Sequence, residues 1–134
     1  MSRKFEVIEQ TATVDANPIE VYDAYVDPKK HAYFTGSPAT GSSKVGGSFT
    51  AWDGYISGKF LELVRGKKIL HEWKTTEWPA GYPSSLVELT FKSKGRKTEL
   101  KMVHSKVPAE QSEMYAQGWL EWYWEPMKEY FKKE

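Results

Sequence analysis

Residues 109–133 read AEQSEMYAQGWLEWYWEPMKEYFKK, and this stretch decides the fold. Its pattern predicts one long helix, Ala109 to Lys133, whose apolar side carries Trp119, Trp122, Tyr123, Trp124, Tyr130 and Phe131. At about 100° per residue, Glu113, Gln117, Glu121, Glu125, Lys128 and Lys132 fall into one polar stripe. Trp119, Tyr123, Pro126 and Tyr130 fall opposite and are expected to face a sheet. Leu120, Trp124, Met127 and Phe131 form a side seam. Pro126 lacks a backbone donor, so a bend is expected there. Gly118 leaves room for a close approach.

Everything before this helix reads mostly as sheet. Residues 4–14 are rich in β-prone side chains. Asn17-Pro18 is a helix start, an N-cap followed by a preset first residue, and opens a helix to about Val26. Asp27-Pro28 breaks it, and a second short helix runs from Pro28 to Phe34. Residues 35–47 read as loop with a weak strand near Thr40 to Ser43. Strands then fall near 48–53, 55–65, 67–78, 84–93 and 97–106. Turns at Asp53-Gly54, Arg65-Gly66, the Pro79–Pro83 loop and Lys94-Gly95 separate them. The order β-α-α-β-β-β-β-β-β-α implies an α+β fold. A curved antiparallel sheet wraps around the long C-terminal helix, and the two small helices close one end. The length suits one domain over residues 1–134.

Composition excludes several classes. There are 19 basic and 18 acidic residues, with no block of one sign, which argues against a nucleic-acid footprint. The absence of cysteine removes disulfides, thiolate metal sites and a cysteine nucleophile. No apolar run approaches the roughly 18 residues of a membrane span. The start Met1-Ser2-Arg3-Lys4-Phe5-Glu6 lacks the apolar run of a signal peptide, so a cytoplasmic protein is expected. Gly36 and Gly41 have a phosphate-loop spacing without the Lys-Ser/Thr that should follow. Ser84-Ser85 sits beside a turn with no histidine that alternation pairs with it. No cofactor, no metal site and no catalytic constellation are expected.

Alternation assigns the inner face of the sheet. Val87, Leu89 and Phe91 point inward, as do Leu100 and Met102. The same pattern places His104 inside, together with Ile69, His71, Trp73 and Thr75. His71 and His104 lie on strands separated by one other, roughly 10 Å apart if level. Two readings of this pair stay open: hydrogen-bonded groups inside a mixed core, or polar contacts for a ligand in an apolar pocket.

Several motifs in order carry a resemblance. They are Asn17-Pro18, Val45-Gly46-Gly47-Ser48-Phe49, and Gly58 with Phe60 and Leu63. Trp73 with Trp78-Pro79-Ala80-Gly81-Tyr82 follows, then Leu89-Thr90-Phe91 and Thr98-Glu99-Leu100. Gln117-Gly118-Trp119 and Trp122-Tyr123-Trp124 with Met127 and Phe131 complete the series. Over nearly the whole chain the sequence resembles the activators of the heat shock protein 90 ATPase, within the START-like, helix-grip superfamily that includes the birch pollen allergen (Bet v-like). The resemblance implies a helix-grip fold and the superfamily's common property, a cavity for apolar small molecules. It also implies a chaperone role. In eukaryotic activators this domain is the carboxy-terminal one, and a separate preceding domain makes a large share of the chaperone contact; no such domain is found in these residues.

Three functions follow. The first is a non-enzymatic binding protein. Its cavity would be lined by His71, Trp73, Val87, Leu89, Phe91, Met102, His104, Trp119, Tyr123 and Tyr130, with the two small helices as gate. The second is a regulator that binds a heat shock protein 90-type chaperone through the Trp78, Pro79, Gly81 and Tyr82 loop and the helix seam at Trp124 and Phe131. Exposure of Trp124 discriminates the two. The third is a small cyclase or hydrolase using His71 or His104. The chain is expected to be a monomer or weak homodimer.

Overall fold

The computed structural model describes residues 4–132. The expected helix end at Lys133 and the residues Met1 to Arg3 lie outside the described residues. The strands are β1 (Phe5–Val14), β2 (Thr40–Gly41), β3 (Ser48–Ala51), β4 (Ile56–Val64), β5 (Lys68–Thr75), β6 (Ser85–Lys94) and β7 (Lys97–Pro108). They form one seven-stranded antiparallel sheet in the order β1-β7-β6-β5-β4-β3-β2. Helices α1 (Pro18–Val26) and α2 (Pro28–Thr35) follow β1. The long helix closes the chain, as the element order required.

Local chemistry explains the boundaries. The Asn17 side chain accepts from the Glu20 amide at 2.9 Å and starts α1. Asp27 does two jobs. Its amide closes α1 on the Asp23 carbonyl, and its carboxylate accepts from the Lys29 and Lys30 amides to open α2. Gly58 is dictated by close approach, since a Cβ there would lie 1.9 Å from the Glu72 carbonyl oxygen of β5. Strand β7 runs two residues beyond expectation. Lys106, at φ 59°, lies where the pairing slips between Glu6 and Ile8, so a bulge lets the ladder continue to Pro108.

The long helix starts with a tight turn at Ala109–Gln111 and is α-helical over Ser112–Trp119 and Glu125–Phe131. Between these segments, Leu120–Trp124 forms a π turn, in which the Glu125 amide reaches back five residues to the Leu120 carbonyl. Pro126, which has no amide hydrogen to continue the α pattern, follows at once. One extra residue in a turn rotates everything after it by about 100° from the regular wheel. That rotation corrects the expected faces. Trp124, expected in the side seam, is 2% exposed and stacks on Trp119 with ring centroids 5.3 Å apart. Met127 turns fully into the core, and Tyr130, expected to face the sheet, is 41% exposed. Tyr130 instead meets Tyr33 and Phe34 of α2 and its own neighbour Phe131. The polar stripe from Glu113 to Lys132 is exposed throughout.

Gln10 of β1 fixes the widened turn. Its amide nitrogen donates to the Ala116 carbonyl at 2.8 Å, and its oxygen accepts from the Trp124 indole at 2.7 Å. Val87, Leu89, Leu100 and Met102 are fully buried beneath. At the other end of the sheet, α1 lies over β6, with Tyr22 edge-on to Phe91.

Candidate functional site

A groove of about 430 Å³ opens between the first half of the long helix and the β3–β5 side of the sheet. Trp52, Tyr55, Ile56 and Trp73 line one wall; Met114, Tyr115, Gly118, Trp119, Trp122 and Tyr123 line the other. The volume lies within the range of small-molecule sites, and the lining is almost entirely apolar.

Three features make the groove. Gly118 sits inside the helix, where glycine costs about 1 kcal/mol against alanine. A Cβ there would meet only the Trp122 ring, Cδ1 at 3.4 Å and Nε1 at 4.0 Å, so the position is open, not crowded. Trp52 stands in the β3–β4 turn at φ 54°, followed by Asp53 at 57° and Gly54 at 86°. A left-handed backbone is uncommon for a bulky residue, and it swings the Trp52 ring against Trp122 at 5.1 Å. Finally, among the described residues the buried side-chain polar atoms without a hydrogen bond are the Trp52 and Trp73 indole nitrogens. Both residues line the groove. The Trp52 and Tyr123 rings meet edge-on, with centroids 6.3 Å apart.

Around the groove every histidine is buried, and its partners fix its proton. His31 gives its Nδ1 hydrogen to the Tyr25 carbonyl at 2.8 Å and accepts from the Tyr123 hydroxyl at Nε2, 3.0 Å. His71 gives its Nδ1 hydrogen to the Glu72 carbonyl and accepts from the Tyr25 hydroxyl, both at 2.8 Å. His104 accepts from the Trp119 indole at Nδ1, 3.0 Å, and donates from Nε2 to Ser85 Oγ at 2.8 Å. Ser85 in turn donates to the Trp73 carbonyl at 2.6 Å. Burial pushes all three below the ordinary histidine range, His71 to about 4 and His104 to about 3. Burial also raises the Tyr123 phenol well above its usual value.

His71 and His104 pair with the same residue, Val87, from either side, so they are level. Both are fully buried with both ring nitrogens engaged. The Ser85–His104 pair is not one the sequence exposed, yet it is no nucleophile and base. His104 donates to the serine, its other nitrogen is held by an indole donor, and Ser85 is fully buried. No cluster of three or more potential metal ligands exists among the described residues.

Of the ten lining residues expected, the groove brings together Trp73, Trp119 and Tyr123. His71, Val87, Leu89, Phe91, Met102 and His104 are packed into the core, and Tyr130 is turned outward by the π turn. The small helices do not border the groove. Beside α2 the space among Tyr25, His31, Phe49 and Phe60 amounts to about 10 Å³, room for one water at most. Trp52, Tyr55, Ile56, Met114, Tyr115 and Trp122 were missed as lining. The signal available was that helical positions 115, 118, 119 and 122 share a face with Trp119. Of the expected partner surface, Trp124 is buried and bonded to Gln10. The Trp78, Pro79, Gly81 and Tyr82 loop borders a wide, shallow depression with Lys74 and Ser57. Trp78 is partly covered there, stacked on Tyr115 and bonded to the Pro83 carbonyl. Phe131 is half-buried. No helix among the described residues is long and apolar enough to cross a membrane.

Residues 15–132 match the family model described as Activator of Hsp90 ATPase homolog 1-like protein. The chain is 36% identical over 115 residues to Activator of 90 kDa heat shock protein ATPase homolog 1 of Homo sapiens, covering 86% of this chain and 34% of that protein. It therefore spans about a third of the length of that curated relative. The crystal structure of an HSP90 activator from Plasmodium falciparum shares the fold at TM-score 0.78 and 30% identity, covering 84% of this chain and 86% of that one. The solution structure of the Aha1 dimer from Colwellia psychrerythraea shares the fold alone, at TM-score 0.76 and 12% identity, over 92% of this chain and 96% of that one. These relatives are named as activators or members of that group, not as enzymes. By its sequence match over residues 15–132 and by its helix-grip fold, the chain belongs to the family of Activator of Hsp90 ATPase homolog 1-like proteins.

Proposed function

We propose that this chain is a non-catalytic binding protein that takes an apolar small molecule into the Trp52–Trp122 groove. The observation that supports this reading is the concentration of local penalties at one place. A glycine inside a helix and a tryptophan in a left-handed turn border the same open space, whose wall also holds Trp73 and Trp122. Proteins break local rules where function asks for it. Titration with the neutral dye Nile red tests the reading. Saturable binding to one site is expected, weakened about tenfold by Trp122→Ala, which removes an aromatic wall from a half-exposed position. Absence of saturable binding would contradict it.

The family match favours a second reading, that the chain stimulates the ATPase of a 90 kDa heat shock protein. Its contact surface would be the Trp78, Pro79, Gly81 and Tyr82 loop with Phe131; buried Trp124 takes no part. In this reading the 134 residues act as one domain in the cytoplasm, as a monomer or weak homodimer. Adding the protein to the chaperone should raise ATP turnover, and Tyr82→Ala should reduce the effect. Unchanged turnover with no complex formed would rule this reading out.

A further inference from the structure

We infer that the exposed apolar row of the long helix, with the groove beside it, is a docking face for a basic amphipathic helix presented by a partner protein. The inference concerns a macromolecular partner and does not rest on the small-molecule reading; the two make competing claims on one face.

The face is built in four-residue steps. Met114, Gly118, Trp122, Pro126 and Tyr130 form one row, and Glu113, Gln117, Glu121, Glu125 and Glu129 form the polar row beside it. On a regular helix a four-residue step drifts by about 40°, so either row would wind off the face. The π turn at Leu120–Trp124 takes back about 100°, and both rows stay on the outside. Every member of the polar row is exposed, and so are Met114, Trp122 and Tyr130, at 46%, 53% and 41%. The apolar row runs about 24 Å, the length of a helix of about sixteen residues.

Charge names the partner. The chain as a whole is balanced, but residues 109–127 hold four glutamates and no lysine or arginine. The opposite bank of the groove carries two exposed carboxylates, Asp53 beside Trp52 and Glu77 bonded to Tyr55. Residues 45–58 on that bank also contain no basic side chain. Lys74, next to Trp73, alternates to the other face of β5 and borders the shallow depression there. Lys128 and Lys132 fall one row further round the long helix, behind the glutamates. None of Glu113, Glu121, Glu125, Glu129 and Asp53 forms an ion pair with another described residue. An apolar strip between two acidic banks matches a partner whose apolar side chains are flanked by Lys or Arg. The lining also decides the partner's backbone. It is almost entirely apolar, and the strands that border it, β3–β5, have neighbours on both sides. An extended peptide would bury unpaired amides and carbonyls there, whereas a helix satisfies its own.

Fluorescence-anisotropy titration of three labelled synthetic peptides with the full chain tests this. The first is a helical peptide of about sixteen residues with leucine on one face and lysine elsewhere. The second carries glutamate in place of lysine. The third has the first one's composition with its leucines scattered round the helix. The first should bind saturably and about tenfold tighter than either of the others. Glu121→Lys/Glu125→Lys should weaken it about tenfold. Glu9→Lys/Glu20→Lys makes the same change in net charge at exposed positions away from the long helix and should leave it unchanged. Equal losses in the two charge variants overturn the inference, because the attraction is then diffuse. A scattered peptide that binds as tightly as the first overturns it, and so does absence of binding by the first. Self-association of the chain alone that Glu121→Lys/Glu125→Lys abolishes overturns it in favour of a second copy as occupant. Should that variant not fold, Glu113→Lys/Glu129→Lys takes its place. The titration decides whether or not Nile red binds, so this inference and the small-molecule reading fail separately.

Discussion

The long helix meets the sheet in two very different ways. Over β6, β7 and β1 the contact is closed. Val87, Leu89, Leu100, Met102 and Met127 are fully buried, Trp124 stacks on Trp119, and the polar groups of Gln10, Ser85 and His104 are all paired. Over β3–β5 the contact is open. There a glycine replaces a side chain, Trp52 holds an uncommon backbone, and two indole donors lack partners. One helix thus secures the fold with one face and leaves space with another, and the π turn at Leu120–Trp124 carries both, Trp124 in the core and Trp122 on the groove. The packed face and the open face share a single element.

That separation can be attacked from the closed side first. All three histidines are buried neutral, with folded pKa values below the unfolded value of about 6.5. Above that pH their contribution to stability is complete. As pH falls from about 6.5 toward 4, the unfolded chain binds protons that the folded chain refuses, so stability drops. With three groups, the loss approaches roughly 4 kcal/mol per pH unit. Urea unfolding at pH 7, 6 and 5 should show this slope; a flat profile would mean that the histidines are not held neutral. Leu89→Ala comes next. It should cost about 2–5 kcal/mol through the cavity it leaves. Nile red affinity of the folded fraction should stay unchanged, and a matching loss of binding would erase the distinction between the two regions. Gln10→Ala removes both bonds that hold the π turn and should cost about 1–3 kcal/mol in chemical denaturation. If it proves neutral, the widened turn is set by Pro126 and packing alone.

Much of the closed region was legible in the sequence. The Asn17 cap and the Asp27-Pro28 break gave the small helices, turn residues gave the meander, and period-two alternation put His71, Val87, Leu89, Met102 and His104 inside. The Ser85–His104 bond was not legible, since it needs the β6–β7 register that the structure supplies. The open region was less legible because its features break local rules. A regular wheel is blind to a π turn, so Trp124 and Tyr130 exchanged sides. Nothing about Trp52 distinguishes it from an ordinary strand end, and the left-handed turn that aims it becomes visible only in three dimensions. The identity of a groove wall depends on such placements, which is why Trp73, Trp119 and Tyr123 were found and Trp52, Met114 and Trp122 were not.

The most direct test of the division fills the open side without touching the closed one. Gly118→Leu puts a side chain into the groove from a position where a Cβ meets only Trp122 at 3.4 Å. Its unfolding free energy and its Nile red affinity should be measured together. Stability should equal the parent's or exceed it by up to about 1 kcal/mol, from the gain in helix propensity, and binding should weaken tenfold or more. A Gly118→Leu protein that binds Nile red as tightly as the parent would contradict it.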